Sequence, residues 1–517
     1  MRAAVRKQKK KKMHVVSLLL CLVVAFSAVF YLYNPSILQR INDFTNSIGF
    51  SFADNSRQQY VSNIMITDKT FEGNTFIDKG TVYLDIDFIK NYLDTSIEVD
   101  KESRRAFINI SQNHYKYEIE TLNEFMKDKP LLLNFLLTKV ENIYYLPIEA
   151  IAPLIGFEVQ YFADRNLVVI DPTHIDSFTI YHPIEEKWLP TENIGLVWDY
   201  VYQVTRDRRE EEKISALDIV SPTWFKLSKN DGAIENNGVL DYVKDAHEKG
   251  YKVWGLVTND FDPHLTNEFL ADIEAQDNFI RQIVLYSSLY NLDGINIDFE
   301  NIYYEDQDAF TEFVRILTEK LHQLNLTVSI DITIPSTSLN WSKVYDRQKL
   351  GEIVDYVAVM TYDEHWGSSP KSGSVASIGW VEKGIQATLD YIPPEKILLG
   401  LPFYTRLWEE EKQSEGSIKV SSRAYGMNAI ASILEENNAV IQWDTTTGQY
   451  YSQYEKEEKT YKVWLEDQRS LALKASLIEK YQLAGFAAWR KDFEKEEVWD
   501  ALQKIVKENK DYKDLEF

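Results

Sequence analysis

The chain is 517 residues long, 44% hydrophobic and 26% charged, which suffices for two or three domains with cores of their own. A formal net charge of −24 argues against wholesale nucleic-acid binding. The single cysteine, Cys21, excludes a disulfide framework. The eight scattered histidines form no His-x-x-x-His face, so neither metal nor cofactor is expected.

Residues 1–12 carry seven Lys/Arg and no acid and read as a basic cytoplasmic segment. Within residues 13–33 an apolar run extends from Val15 to Tyr33, broken only by Ser17 and Ser27. That is about the length of a helix crossing a bilayer, and the flanking cations should keep the N-terminus inside and send the remaining chain out. An uncleaved transmembrane signal anchor is the favoured reading. A cleaved signal peptide has only Ala25-Phe26-Ser27 as a weak site, inside the run, and lipidation at Cys21 would want a small residue where Leu20 stands. An exported chain without disulfides suggests a bacterial cell surface.

Residues 34–60 read as a polar linker. From 61 to 172 the sequence repeats at an offset of 62: Val82-Tyr83-Leu84-Asp85-Ile86 matches Tyr144-Tyr145-Leu146-Pro147-Ile148, and Ala106-Phe107-Ile108 matches Val168-Val169-Ile170. Each copy predicts a strand, a helix (Asp87 to Leu93; Glu149 to Ile155) and a strand pair. This duplicated α+β unit resembles the N-terminal domain of copper amine oxidases. The resemblance brings no copper, because no histidine cluster is present. It implies either a module contacting wall or glycan, or a stalk lifting the rest off the membrane.

Residues 186–510 alternate short apolar strands with helices. The strands begin with Ile194-Gly-Leu-Val-Trp198, Asp218-Ile-Val220, Val253-Trp-Gly-Leu-Val257 and Gly294-Ile-Asn-Ile-Asp-Phe299. Thr327-Val-Ser-Ile-Asp-Ile332, Tyr356-Val-Ala-Val-Met360, Ile397-Leu-Leu-Gly-Leu401 and Gly485-Phe-Ala-Ala-Trp489 complete eight. Asp308 to Leu324 shows a clear apolar stripe of Phe310, Phe313, Ile316, Leu317 and Leu321. Eight such units predict an α/β fold, a (β/α)8 TIM barrel. The stretch from about 405 to 464 is too long for a loop and predicts a small α+β insertion before the last strand.

The chemistry centres on Asp293-Gly-Ile-Asn-Ile-Asp-Phe-Glu300. Alternation along a strand puts Asn296, Asp298 and Glu300 on one face, which in a parallel barrel points inward, with Glu300 at the C-terminal end. Like charges at close range push one carboxyl toward its protonated form, as a general acid near neutral pH requires. A carboxylate pair serving helix caps or ion pairs is the plain alternative on these residues alone.

The segment resembles the D-G-x-D-x-D-x-E signature of glycoside hydrolase family 18, the chitinase-like enzymes, with Asn296 in place of the middle Asp. Met360-Thr-Tyr-Asp363, Gly400-Leu-Pro-Phe-Tyr404 and Trp489 resemble the family's patterns at strands six, seven and eight. The resemblance implies roles for each. Glu300 would protonate the glycosidic oxygen and later activate water. Asp298 would steady the substrate's own 2-acetamido group, whose carbonyl oxygen attacks the anomeric carbon. Tyr362 would hydrogen-bond that group, Trp489 would floor the subsite, and Met360 and Asp363 would shape it. An amide at 296 can donate to Asp298 permanently but cannot exchange a proton, which implies an altered pH profile. Asn296 also resembles the branch acting on bacterial peptidoglycan.

Aromatics at or past strand ends offer stacking surfaces for sugar, with Trp198 and Tyr404 the foremost candidates beside Trp224, Phe225 and Trp408. Asn259, after strand three, is a candidate to hydrogen-bond sugar, whereas His365 and Trp366 read as loop residues. The expected function is a retaining hydrolase of β-linked N-acetylglucosamine glycan, peptidoglycan or chitin-like. The alternative is a catalytically weak or inactive, lectin-like wall protein.

Overall fold

Alternating β-branched strands and amphipathic helices close into a barrel beyond residue 193. A computed structural model describes residues 59–517 apart from 79, 111–114, 128–129, 173–177 and 181–186. The basic segment, the apolar run and nearly all of the linker lie outside the described residues. Among the described residues no helix is long and apolar enough to cross a membrane.

The barrel strands are β1 (Ile194–Asp199), β2 (Ile219–Leu227), β3 (Lys252–Thr258), β4 (Gly294–Asp298), β5 (Thr327–Thr333), β6 (Tyr356–Met360), β7 (Ile397–Pro402) and β8 (Gly485–Trp489). Each pairs in parallel with the next, and β8 returns to β1, closing the ring. Alternate side chains separate two cores. Ile295, Ile297 and Phe299 join the layer under the helices, while Leu196, Trp198, Trp254, Leu256 and Ala358 fill the barrel's interior. The helix Gln307–His322 docks through Phe310, Phe313, Val314, Leu317 and Leu321, the stripe that its sequence predicts apart from Ile316, which is partly buried.

The second strand extends beyond the predicted Asp218 to Val220: β2 runs through Ser221-Pro222 to Leu227, with a bulge against β3 between Thr223 and Phe225. Its far end takes on an antiparallel partner, Ile234–Asn236. The insertion is a five-stranded antiparallel sheet beginning at Tyr404 and ending at Leu465, with one helix, Met427–Glu436.

Both repeat copies show the strand, helix and strand pair: Thr81–Asp85, Ile86–Tyr92, Glu98–Asp100 and Arg105–Ile110, then Ile143–Pro147, Ile148–Ile151 with a following 3-10 turn, Phe157–Phe162 and Leu167–Pro172. Their hairpins choose different neighbours. The first pairs with Leu131–Leu136 and the second with Gln59–Ile66, a strand that begins inside the predicted linker.

The repeat domain is packed on the barrel. Buried Arg105 donates to the Asn236 backbone carbonyl (2.6 Å), to Glu235 (2.8 Å) and to Asn237 (2.6 Å) beside β2. Asn134 donates its side-chain amide to the Ile234 carbonyl and its backbone N–H to the Tyr286 hydroxyl. Tyr83 and Thr81 both donate to Asp241 on a barrel helix. Buried donors and acceptors satisfied across a contact hold it in one geometry.

Candidate active site

Strand β4 delivers two polar side chains to the barrel's interior. Asn296 is fully buried and bonded on every side: Trp198 Nε1 donates to its Oδ1 (2.8 Å), and its Nδ2 donates to Ser329 Oγ (2.9 Å) and Asp331 Oδ1 (2.8 Å). Asp298 follows at 8% exposure, and burial pushes its carboxyl up to about 7.

Glu300 lies two residues beyond, partly buried at the C-terminal mouth. Its backbone is held at both ends by Asn259, which accepts from Glu300 N–H (3.0 Å) and donates to the Glu300 carbonyl (2.8 Å). Burial, then the charges of Asp298 and Asp363, raise the Glu300 carboxyl well above the ordinary range. Both shifts run toward the protonated form, the direction a general acid requires, and burial is the leading cause of each.

Strand β6 brings up the other wall. Gly400 on β7 lets the two strands approach, since a Cβ there would collide with the Val359 carbonyl. Met360 ends β6 and is nearly buried, and Tyr362 stands with its hydroxyl held protonated by burial. Asp363 adopts a left-handed backbone (φ 61°), and its carboxylate accepts from Tyr404 (2.7 Å) and, more loosely, from Arg406 (3.4 Å). Trp489 closes β8, partly exposed, with its ring 6.1 Å from Trp198 and 6.0 Å from Tyr200.

Glu300, Asp298, Asn296, Met360, Tyr362, Asp363 and Trp489 therefore gather at one end of the barrel. Three other candidates do different work. Trp198 is 1% exposed and offers no ring face, because the parallel strands enclose it and its N–H is used on Asn296. Tyr404 is buried and positions Asp363. Asn259 is wholly buried, and its amide grips the Glu300 backbone and Thr266 instead of facing sugar. Trp224, Phe225 and Trp408 are core. His365 binds the Ser374 carbonyl within its own loop.

Exposed rings that do line the loops after β3 to β6 are Phe261, Tyr303, Tyr304, Trp341 and Trp366. Asp331 is the other residue that sequence reasoning missed. Its signal was present: Thr327, Ser329, Asp331 and Thr333 put polar groups at every alternate position of β5, the inward face.

Residues 200–494, more than half of the chain, match the family model for glycosyl hydrolases family 18. The chain belongs to that family. It is a glycosidase, and the barrel end just described is where enzymes of this fold do their chemistry. Residues 64–170 match the copper amine oxidase N-terminal domain. Among the chain's relatives is the uncharacterized glycosylase YvbX of Bacillus subtilis (strain 168), 27% identical over 303 residues covering 56% of this chain and 85% of that one. Another is a cortical fragment-lytic enzyme of Bacillus anthracis, 27% identical over 297 residues, 54% of this chain and 68% of its own. A chitinase from Chromobacterium violaceum shares the fold, with a TM-score of 0.54 at 22% identity over 60% of this chain and 98% of that one.

Proposed function

We propose that this family 18 glycosidase cleaves β-linked N-acetylglucosamine glycan with retention, using the substrate's acetamido group as nucleophile, and that bacterial peptidoglycan is its substrate. The observation that carries the proposal is Glu300 at the barrel mouth, two residues beyond buried Asp298 on the inward face, with its carboxyl raised well above the ordinary range by burial and by the Asp298 charge. Glu300 donates its proton to the glycosidic oxygen as the bond breaks, and then takes a proton from water. Asp298, once ionised, accepts the acetamido N–H and balances the positive charge on the cyclised intermediate. Tyr362 donates to the same group, and Trp489 lies beneath the sugar ring. Stacking falls to the exposed rings after β3 to β6.

The cortical fragment-lytic relative supports peptidoglycan over soluble chitin. So does the surface location we propose, with the apolar run as anchor and residues beyond it outside the cell. Reducing ends released from peptidoglycan and from N-acetylglucosamine oligomers by the full chain test the assignment, beside Glu300→Gln. Loss of a general acid lowers kcat by roughly 10²–10⁴-fold while binding persists. Equal binding without turnover by both proteins would instead mark a lectin.

A further inference from the structure

Asn296 spends all of its hydrogen-bonding capacity away from Asp298. The indole of Trp198 can only donate, so the atom it meets at 2.8 Å is Oδ1, and the other terminal atom is Nδ2. Ser221 Oγ reaches the same Oδ1 at 3.4 Å. The two Nδ2 hydrogens go to Ser329 Oγ and Asp331 Oδ1. The amide therefore has no hydrogen left for Asp298, contrary to what the motif alone implies.

The carboxyl next to Asp298 comes from the neighbouring strand. β4 and β5 pair Asn296 with Ser329 and Ile297 with Ile330. The same register continued by one residue sets Asp298 beside Asp331, and even spacing puts both on the inward face. Asp331 is 2% exposed. The titratable groups around it are Asp298 and Glu300 from β4 and its end, Tyr345 after β5 and Tyr362 after β6, with Trp198 and Asn296 as neutral neighbours. Burial, reinforced by Asp298, raises the Asp331 carboxyl well above its ordinary range.

We propose that Asp331 is the proton-sharing partner of Asp298, held in its place by Asn296 and Trp198. It is a positioning residue that touches no sugar, and the proposal rests on the assignment of Asp298 above. One proton serves the two carboxyls. With the proton on Asp331, Asp298 is the anion that accepts the acetamido N–H during cyclisation. When water opens the intermediate, the proton returns toward Asp298. No bond to carbon forms or breaks at Asp331.

The test is kcat and KM from roughly pH 4 to 9 for the full chain, Asp331→Asn, Asn296→Asp and the double exchange Asn296→Asp with Asp331→Asn. Asp331→Asn should lower kcat by roughly 10–100-fold with KM within about threefold, and displace the limb of the kcat profile set by the pair. The double exchange should recover most of the loss, because a carboxyl again adjoins Asp298, now two residues before it. A folded Asp331→Asn that binds an uncleaved oligosaccharide as the parent does, with a superimposable profile, overturns the proposal. So does a lower kcat with an unshifted profile, which would mean mere structural support. If that variant does not fold, Asp331→Ser and the double exchange carry the same comparison. A parent chain that turns over no N-acetylated glycan removes the functional assignment as well, whereas an active parent with an unshifted variant removes only this one.

Discussion

Glu300 sits just past the end of a strand, where backbone hydrogen bonding to neighbours stops. Asn259 supplies the missing donor and acceptor and so fixes the direction in which the carboxyl leaves the chain. Asn259→Ala should lower kcat by roughly 10–100-fold, since a catalytic group about 1 Å out of place loses that much. It should also cost about 1–3 kcal/mol of stability from the unpaired backbone groups. Steady-state kinetics with a thermal melt check both. Asp298 makes a second prediction. Its carboxyl is raised to about 7 in the folded chain, so between the ordinary value of 3.8 and about 7 the fold holds a proton that the unfolded chain has lost. Stability from this group is therefore complete below about pH 4 and falls as pH rises through about 7. Asp298→Asn removes the slope and should melt higher than the parent at pH 8, with the gain vanishing toward pH 4. The Asp298–Glu300 pair was legible because alternation on a strand dictates a shared face. Asn259 was not, because an amide after a strand looks the same whether it faces sugar or a backbone. Trp198 was misjudged because its place at the strand end says nothing of what the opposite strands put above it.

At the scale of elements, local periodicity carried far. The eight strands, the stripe at Phe310 to Leu321, the inserted sheet and the two repeat copies all follow from patterns a few residues long. Pairing choices between distant segments do not. The first repeat hairpin could have joined its own copy's sheet, yet Arg105–Ile110 pairs with Leu131–Leu136 and sends Arg105 into the barrel contact. Nothing local announces that an arginine in a strand will satisfy a carbonyl 131 residues away. Removing it takes from the Asn236 carbonyl the donor that reaches it from the repeat domain. Arg105→Ala should thus cost about 1–3 kcal/mol, detected as a lower Tm, and should loosen the coupling between the two parts. Calorimetry of the parent should give one transition, and the variant should broaden or split it.

Across the whole molecule, the docked repeat domain and the barrel travel together, so any surface that the former contacts also orients the glycosidase mouth. The proposed anchor makes a prediction at this scale. The full chain should sediment with membranes and need detergent for release, and deletion of residues 1–33 should leave it in the supernatant, as an immunoblot of fractions would report. The net charge of −24 opposes close approach to anionic polymers, which favours glycan contact through rings and amides over ionic attraction.

The central claim is that the sugar's own amide is the nucleophile, aided by Asp298 and protonated Glu300. It is met most directly by comparing two glycosides that differ only in the 2-acyl group, N-acetyl against N-trifluoroacetyl. The account predicts that kcat/KM falls by at least about tenfold, or about 1.4 kcal/mol, for the electron-poor acyl group. Equal rates for the two would contradict it.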